Sequence, residues 1–185
     1  MELQKAIKSR RSVKKFSGKK PDWRDIIECI DSSRYAPIAS NDFLAKFIII
    51  DNKDKIEKIS DAAQQSFIAQ ANYVVVIYSD NKRIKNSFGD RGEKYSRQQV
   101  GAAIENFLLS LEEKGLATCW IGHFVDNQIR NILKIPDNME VEAIFPIGYE
   151  VAKKGKQKNK VDINRILNFN EYRKRKMKEP RKVLT

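Results

Sequence analysis

The stretch from about Glu93 to Lys114 places the strongest constraint on how this chain can fold. Val100, Ala103, Ile104, Phe107, Leu108 and Leu111 recur there at intervals of three and four residues, which puts all six on one broad face of a helix. Gly115 stands where a left-handed residue closes such a helix. A face this wide must be covered by other elements, so the stretch reads as a buried central helix. Strand-sized apolar runs are available to cover it: residues 46–51, with Phe47, Ile48, Ile49 and Ile50; Tyr73 to Ser79, rich in β-branched residues; a short run at 117–121; and Val141 to Tyr149.

The other elements follow from local signals. Leu3 and Ile7 mark a short N-terminal helix that runs into a basic turn. Pro21-Asp22 opens a second helix, in which Trp23, Ile26, Ile27 and Ile30 keep helical spacing. Residues from Asp54 to about Gln70 read as helix, with an interruption near Ser60, and Asp126 is placed to cap a helix carrying Ile129, Ile132 and Leu133 that stops before Pro136. The polar stretch 80–92, with Gly89 and Gly92, reads as a mobile loop. Helices and strands alternate without a regular βαβ rhythm, which selects an α+β domain.

The chain has 185 residues, 41% hydrophobic and 32% charged, and is most simply one soluble domain. Its apolar runs fall far short of the roughly 20 residues that cross a bilayer. The N-terminal residues Met1 to Lys5 contain no apolar signal core, so the expectation is a cytoplasmic protein with no membrane partner. Cys29 and Cys119 are the only cysteines and indicate no disulfide framework. The net charge of +12 is concentrated at the ends. Residues 153–185 hold thirteen basic and three acidic residues, and residues 1–20 hold eight and one, which leaves the body from 21 to 152 at −5. That distribution disfavours a nucleic-acid recognition face built into the fold and leaves a basic nucleic-acid module as the weakest of the functional readings.

Absences narrow the chemistry. None of the eight glycines forms a Gly-x-Gly pair, so neither a dinucleotide loop nor a P-loop is present. His123 is the single histidine, which excludes multi-histidine metal sites, and no Ser/His/Asp set is legible. A bound phosphate would have to be held by cationic side chains and hydroxyls. The turn Arg10-Arg11-Ser12-Val13-Lys14-Lys15-Phe16 supplies those groups, since a guanidinium offers paired donors in a fixed fork and Ser12 adds another.

Three further segments follow this turn in order: Ala36-Pro37-Ile38-Ala39-Ser40-Asn41, Gly115-Leu116-Ala117-Thr118-Cys119-Trp120-Ile121-Gly122, and Ile147-Gly148-Tyr149. Together the four segments resemble the FMN-dependent nitroreductase family. The resemblance implies a three-layer α/β/α sandwich assembled as an intertwined homodimer. Residues 1–169 would form one FMN-binding domain, in which about 150–169 reach across to the partner subunit, and residues 170–185 would form a basic tail. It further implies that Arg10, Arg11 and Ser12 hold the FMN phosphate and ribityl chain, with Lys14 near the ring or ribityl end. Lys158 and Lys160 would approach the phosphate from the C-terminal side. The loop bearing Pro37, Ile38, Ala39 and Asn41 would lie over the partner's flavin, while Gln65 would sit at the flavin edge and Trp120, Ile121 and Gly122 would present backbone to the ring. Glu105 and Asn106 match the family's helix pattern and suit a structural role.

Two departures stand out. Phe43-Leu44-Ala45 replaces the family's usual Gln-Pro-Trp, and Gln99 stands where an acidic residue is common. No side chain is assigned a catalytic role, because the chemistry would be carried by FMN. The implied function is reduction of an organic acceptor, such as a nitroaromatic or a quinone, with NADH or NADPH as electron donor, by a ping-pong mechanism. The alternative that keeps the flavin is a flavin-handling or redox-sensing protein without reductase activity. The tail beyond Tyr172 is too charged to bury surface of its own. Truncation after Phe169 is therefore expected to leave FMN affinity nearly unchanged and to lower salt-sensitive binding to polyanions, both measurable by titration.

Overall fold

A computed structural model describes residues 2–151 and 161–177. The chain falls into two compact units, Met1–Lys154 and Gly155–Thr185. In the first unit the elements run α1 (Leu3–Ser9), α2 (Trp23–Ser33), β1 (Ala45–Ile50), α3 (Lys53–Ala62), a 3₁₀ turn (Ser66–Gln70), β2 (Tyr73–Ser79), α4 (Lys82–Phe88), α5 (Asp90–Glu113), β3 (Ala117–Thr118), α6 (Asp126–Leu133) and β4 (Glu140–Gly148). In the second, the described residues form one helical turn, α7 (Ile163–Ile166), capped by the Asp162 carboxylate accepting from the Asn164 amide at 3.0 Å.

The helix α5 is the buried centre that its spacing implies. Ala103, Ile104, Phe107, Leu108 and Leu111 are each at most 2% exposed. Its end is a Schellman closure: Gly115 adopts φ +73°, the Leu116 amide donates to the Leu111 carbonyl at 2.8 Å, and the Gly115 amide donates to Glu112 at 3.0 Å. At the start of α2, Asp22 accepts from the Arg24 amide at 2.9 Å.

The four strands form one antiparallel sheet in the order β1-β2-β4-β3. Its central pair, β2 and β4, is buried on both faces. Val75, Ile77, Ala143, Phe145 and Ile147 face a layer built from α2 and α5, where the Phe107 ring packs edge-on to Phe145 at 5.7 Å. Val74, Val76 and Ile144 face Ile56 and Ile59 of α3 and Ile129 of α6. The result is the expected three-layer α/β/α sandwich. Pairing along β2 steps from Ile77↔Ala143 to Tyr78↔Val141, so Glu142 is an extra residue on β4. This bulge swaps the faces, and Val141 packs in the same layer as Ile144. The Glu142 side chain is only 9% exposed; its carboxylate accepts from Ser79 Oγ and lies 3.9 Å from Arg97 Nη1.

The structure corrects three local expectations. Residues 80–92 are no loop: α4 occupies Lys82–Phe88, and α5 begins at Asp90. Only Ile84 of α4 is buried, so the sequence carries almost no apolar periodicity there. The helices meet at Gly89, whose φ of +53° and ψ of −133° suit glycine alone. The break in the 54–70 helix comes at Ala63 to Gln65 rather than at Ser60, and Ser60 Oγ stabilises it by donating to the Gln65 carbonyl at 3.1 Å. Val125, rather than Asp126, occupies the N-cap position of α6.

The crossing of α4 and α5 requires Gly92. A Cβ there would stand 2.6 Å from both the Ile84 carbonyl oxygen and Lys85 Cα, and both are backbone atoms that cannot swing aside. Gly92→Ala is expected to cost about 3 kcal/mol in chemical denaturation, the upper end for over-packing. Gly101→Ala in the same helix, where nothing lies within 4 Å, should instead gain about 0.5–1 kcal/mol.

Candidate functional site

After α1 the chain straightens and lies along the end of the sheet. The Val13 amide donates to the Thr118 carbonyl at 2.9 Å, Ser12 bridges Thr118 in parallel, Phe16 bridges Glu150, and the Ser17 amide donates to Tyr149 at 2.7 Å. Val13 and Phe16 point into a small core with Ala71, Ala117 and Phe67, whereas Ser12 and Lys14 are exposed. Phe16 covers Gly148, where a Cβ would meet the ring at 3.1 Å. Three lysines of this strap rest on aromatic rings: Lys14 over Phe67 at 5.2 Å, Lys19 over Tyr149 at 4.7 Å and Lys20 over Tyr73 at 4.9 Å.

The strap places the basic turn beside β3 and the residues that follow it. Ile121 is buried and exchanges two backbone hydrogen bonds of 3.0 Å with Ile144. Trp120 is not a core side chain: it is 43% exposed, with its ring 5.8 Å from Phe145. Gly122 is exposed, and nothing lies within 4 Å of where its Cβ would stand, so a flat ligand could come close to this backbone. His123 is also exposed. Gln65 is half-buried at the start of the 3₁₀ turn that carries Phe67. The strap and the β3 exit thus bring Arg10, Arg11, Ser12, Lys14, Trp120, Ile121 and Gly122 to one sheet edge, and Phe67, two residues beyond Gln65, lies under Lys14.

The two arginines of the turn reach different partners. Arg10 Nε lies 3.5 Å from a carboxylate oxygen of Glu105 on α5. Arg11 forms a two-pronged pair with Glu150, in which Nη1 donates to Oε1 at 2.6 Å and Nη2 donates to Oε2. Asn106, next to Glu105, donates from Nδ2 to the Ser32 carbonyl at 3.4 Å, a tie between α5 and α2. Glu150 and Thr118 were not singled out in the sequence, since a lone acid after a strand and a threonine within one carry no local signal.

The Pro37–Asn41 loop packs elsewhere. Pro37, Ile38 and Ala39 line a hollow of about 240 Å³ with Tyr95, Gln99 and Ala102 of α5. Ser40 and Asn41 both adopt left-handed backbone, φ +55° and +53°. Among the described residues, no hydrogen bond or ion pair joins this loop to Arg10, Arg11 or Ser12. Lys158 and Lys160 lie outside the described residues.

Burial pushes the Cys29 thiol up to about 11, so it holds its proton at neutral pH. Among the described residues, no group of three or more His, Cys, Asp or Glu side chains could hold a metal, and no helix is long and apolar enough to cross a membrane.

Because Phe16 is the main apolar anchor of the strap, Phe16→Ala is expected to cost about 3 kcal/mol. Hydrogen exchange at the Val13 and Ser17 amides should rise with it, while the amides of α5 keep their protection.

Comparison with known proteins agrees with this architecture. The model of the nitroreductase family matches residues 7–68 and 60–149. An iodotyrosine deiodinase from Thermotoga neapolitana is 25% identical over 158 residues, covering 77% of this chain and 85% of that protein. The crystal structure of a nitroreductase family protein from Clostridium novyi superposes with a TM-score of 0.76 at 26% identity, over 94% of this chain and 96% of that one. An NADPH:FMN oxidoreductase from Vibrio harveyi, solved in complex with NAD⁺, shares the fold with a TM-score of 0.80 at 19% identity, over 93% and 78% of the two chains. With the family model spanning most of the chain and the sandwich intact, this protein belongs to the nitroreductase family.

Proposed function

We propose that the chain is an FMN-dependent oxidoreductase that takes hydride from NADH or NADPH and reduces an organic acceptor, such as a nitroaromatic or a quinone, by a ping-pong mechanism. The observation that carries this reading is the meeting of the basic turn with β3 and with the open backbone at Trp120–Gly122 that follows it.

The donors on that edge fit a flavin monophosphate. Arg10 and Arg11 bring two guanidinium groups, Ser12 brings an exposed hydroxyl, and Lys14 brings an ammonium group beside the Gln65–Phe67 turn. The phosphate end would lie at the basic turn, beside Arg10 and Ser12, with Lys14 toward the ribityl chain or ring. Trp120 and Gly122 would border the ring, with Gln65 at its edge. When bound, FMN supplies the hydride-accepting and hydride-donating centre. The chain's part is to hold the ring where donor and acceptor can reach it in turn, and to position backbone groups that tune it.

A homodimer completes the reading. Pro37, Ile38 and Ala39 line a hollow beside α5 rather than meeting the basic turn, which supports the loop's serving a second copy's site rather than its own. Val161, Ile163 and Ile166 of the second unit are exposed apolar side chains, as suits an arm that docks on a partner. Closed two-fold dimers are the commonest oligomers. The alternative, a flavin-handling or redox-sensing protein without reductase activity, differs in that NADH or NADPH would not reduce the bound flavin.

The experiment is absorbance of the purified protein with FMN added. Flavin bands at one per subunit, bleached by NADH or NADPH and restored by menadione, are expected, and failure to bleach would leave a flavin carrier. Arg10→Ala should weaken FMN binding by about 1.5–3 kcal/mol, as for a charged hydrogen bond, while riboflavin binding changes little. Equal affinity of the unaltered protein for riboflavin and FMN would remove the phosphate assignment. Light scattering should report a dimer.

A further inference from the structure

We propose that the two adjacent arginines of the basic turn divide their labour: Arg10 is the guanidinium that faces the phosphate, and Arg11 is a positioning residue that locks the turn to the end of β4 through Glu150. This deepens the flavin reading and rests on it.

The geometry separates the two side chains. Arg11 presents both terminal nitrogens to both Glu150 oxygens, so its fork is filled. The pair is largely buried, with side chains 25% and 19% exposed, and it links residues 139 apart in sequence. To grip a phosphate, Arg11 would have to release Glu150. That would strand a partly buried carboxylate next to an incoming dianion, which is unfavourable on both counts. The Arg10 contact differs in kind: a single Nε approach of 3.5 Å to a carboxylate that is itself 48% exposed. The Arg10 side chain is itself 21% exposed, as shielded as Arg11, but among the described residues its terminal nitrogens have no hydrogen bond, so it is the guanidinium whose fork a ligand could fill. The side chains also diverge, Arg10 toward the middle of α5 and Arg11 toward the end of the sheet, and they do not converge on one oxyanion.

The backbone shows what Arg11 positions. Glu150 is the bridge partner of Phe16, and Tyr149 accepts from the Ser17 amide. The strap is thus tied at residues 13, 16 and 17 by backbone and at residue 11 by the ion pair. Ser12 sits between the ion pair and the first of these ties, so its hydroxyl direction depends on both. The Arg11 guanidinium also offsets the Glu150 charge that would otherwise repel a phosphate.

The test compares FMN with riboflavin, which differ only by the phosphate, in titrations monitored by flavin fluorescence. The double variant Arg11→Gln/Glu150→Gln removes the guanidinium and the carboxylate together and leaves no stranded charge. We expect it to weaken both flavins by the same factor, three- to tenfold, so that the FMN-to-riboflavin preference stays within threefold of the unaltered chain. Arg10→Ala should reduce that preference at least tenfold. A tenfold loss of preference in the double variant would overturn the proposal, because Arg11 would then be a phosphate ligand. Unchanged affinity for both flavins would reduce the pair to a structural tie and overturn the positioning role. If the unaltered chain binds neither flavin, the flavin reading itself fails and the assignment to Arg10 falls with it. The lock is then still decided on the flavin-free protein: each single Gln variant should speed amide exchange at Val13 and Ser17, and the double variant no more than either. Additive effects would overturn the lock.

Discussion

Burial of the central strand pair on both faces is the constraint from which the rest of the structure follows. β2 and β4 expose almost nothing to water, so each face needs its own helical cover. One cover is α5 with α2, sealed by the Phe47, Phe107 and Phe145 rings, whose neighbours meet edge-on at 6.0 and 5.7 Å. The other is α3 with α6. Once both covers are in place, the end of β4 and the short β3 are the sheet edge left for the N-terminal strap. The candidate site is built at that edge. Its location is therefore a by-product of core packing, and its chemistry comes from the few residues that the strap and the β3 exit bring to it.

Charge is distributed in keeping with that division. The body carries a net negative charge, while the basic residues of the first twenty positions are laid along the strap. Two of them are matched to acids, Arg10 to Glu105 and Arg11 to Glu150, and three are seated on rings. The high net charge thus conceals a local arrangement in which most of the strap's cations have a defined neighbour. A reading from net charge alone would lead toward nucleic acid, whereas the positions of the charges lead toward a small anionic ligand.

Much of the fold was legible because the decisive elements carry strong periodicity. The six apolar residues of α5 and the β-branched run of β2 have no plausible alternative placement, and Gly115 marks its helix end by backbone necessity. Legibility failed where tertiary contact replaces pattern. Helix α4 buries only Ile84 and is held by close approach to Gly92, which the sequence presents as a loop glycine. At the sheet edge, the motifs of the strap and of the β3 exit are visible in the sequence, yet their pairing is not. Glu150 looks like any acid after a strand, and only the folded path of Phe16 across Gly148 brings it to Arg11. Trp120 likewise takes its setting from the fold, since its position at the edge leaves so large a ring half in solvent.

The lysines parked on rings give the strap an uneven response to its surroundings. Lys19 rests on Tyr149 and Lys20 on Tyr73, contacts of a cation with a ring face rather than with an acid. The front of the strap hangs instead on the charged Arg11–Glu150 pair, so its two ends are held by different kinds of contact. Losing the Glu150 tie would free only the turn that bears the arginines, because the backbone ties at Val13, Phe16 and Ser17 stand between it and the seats at residues 19 and 20.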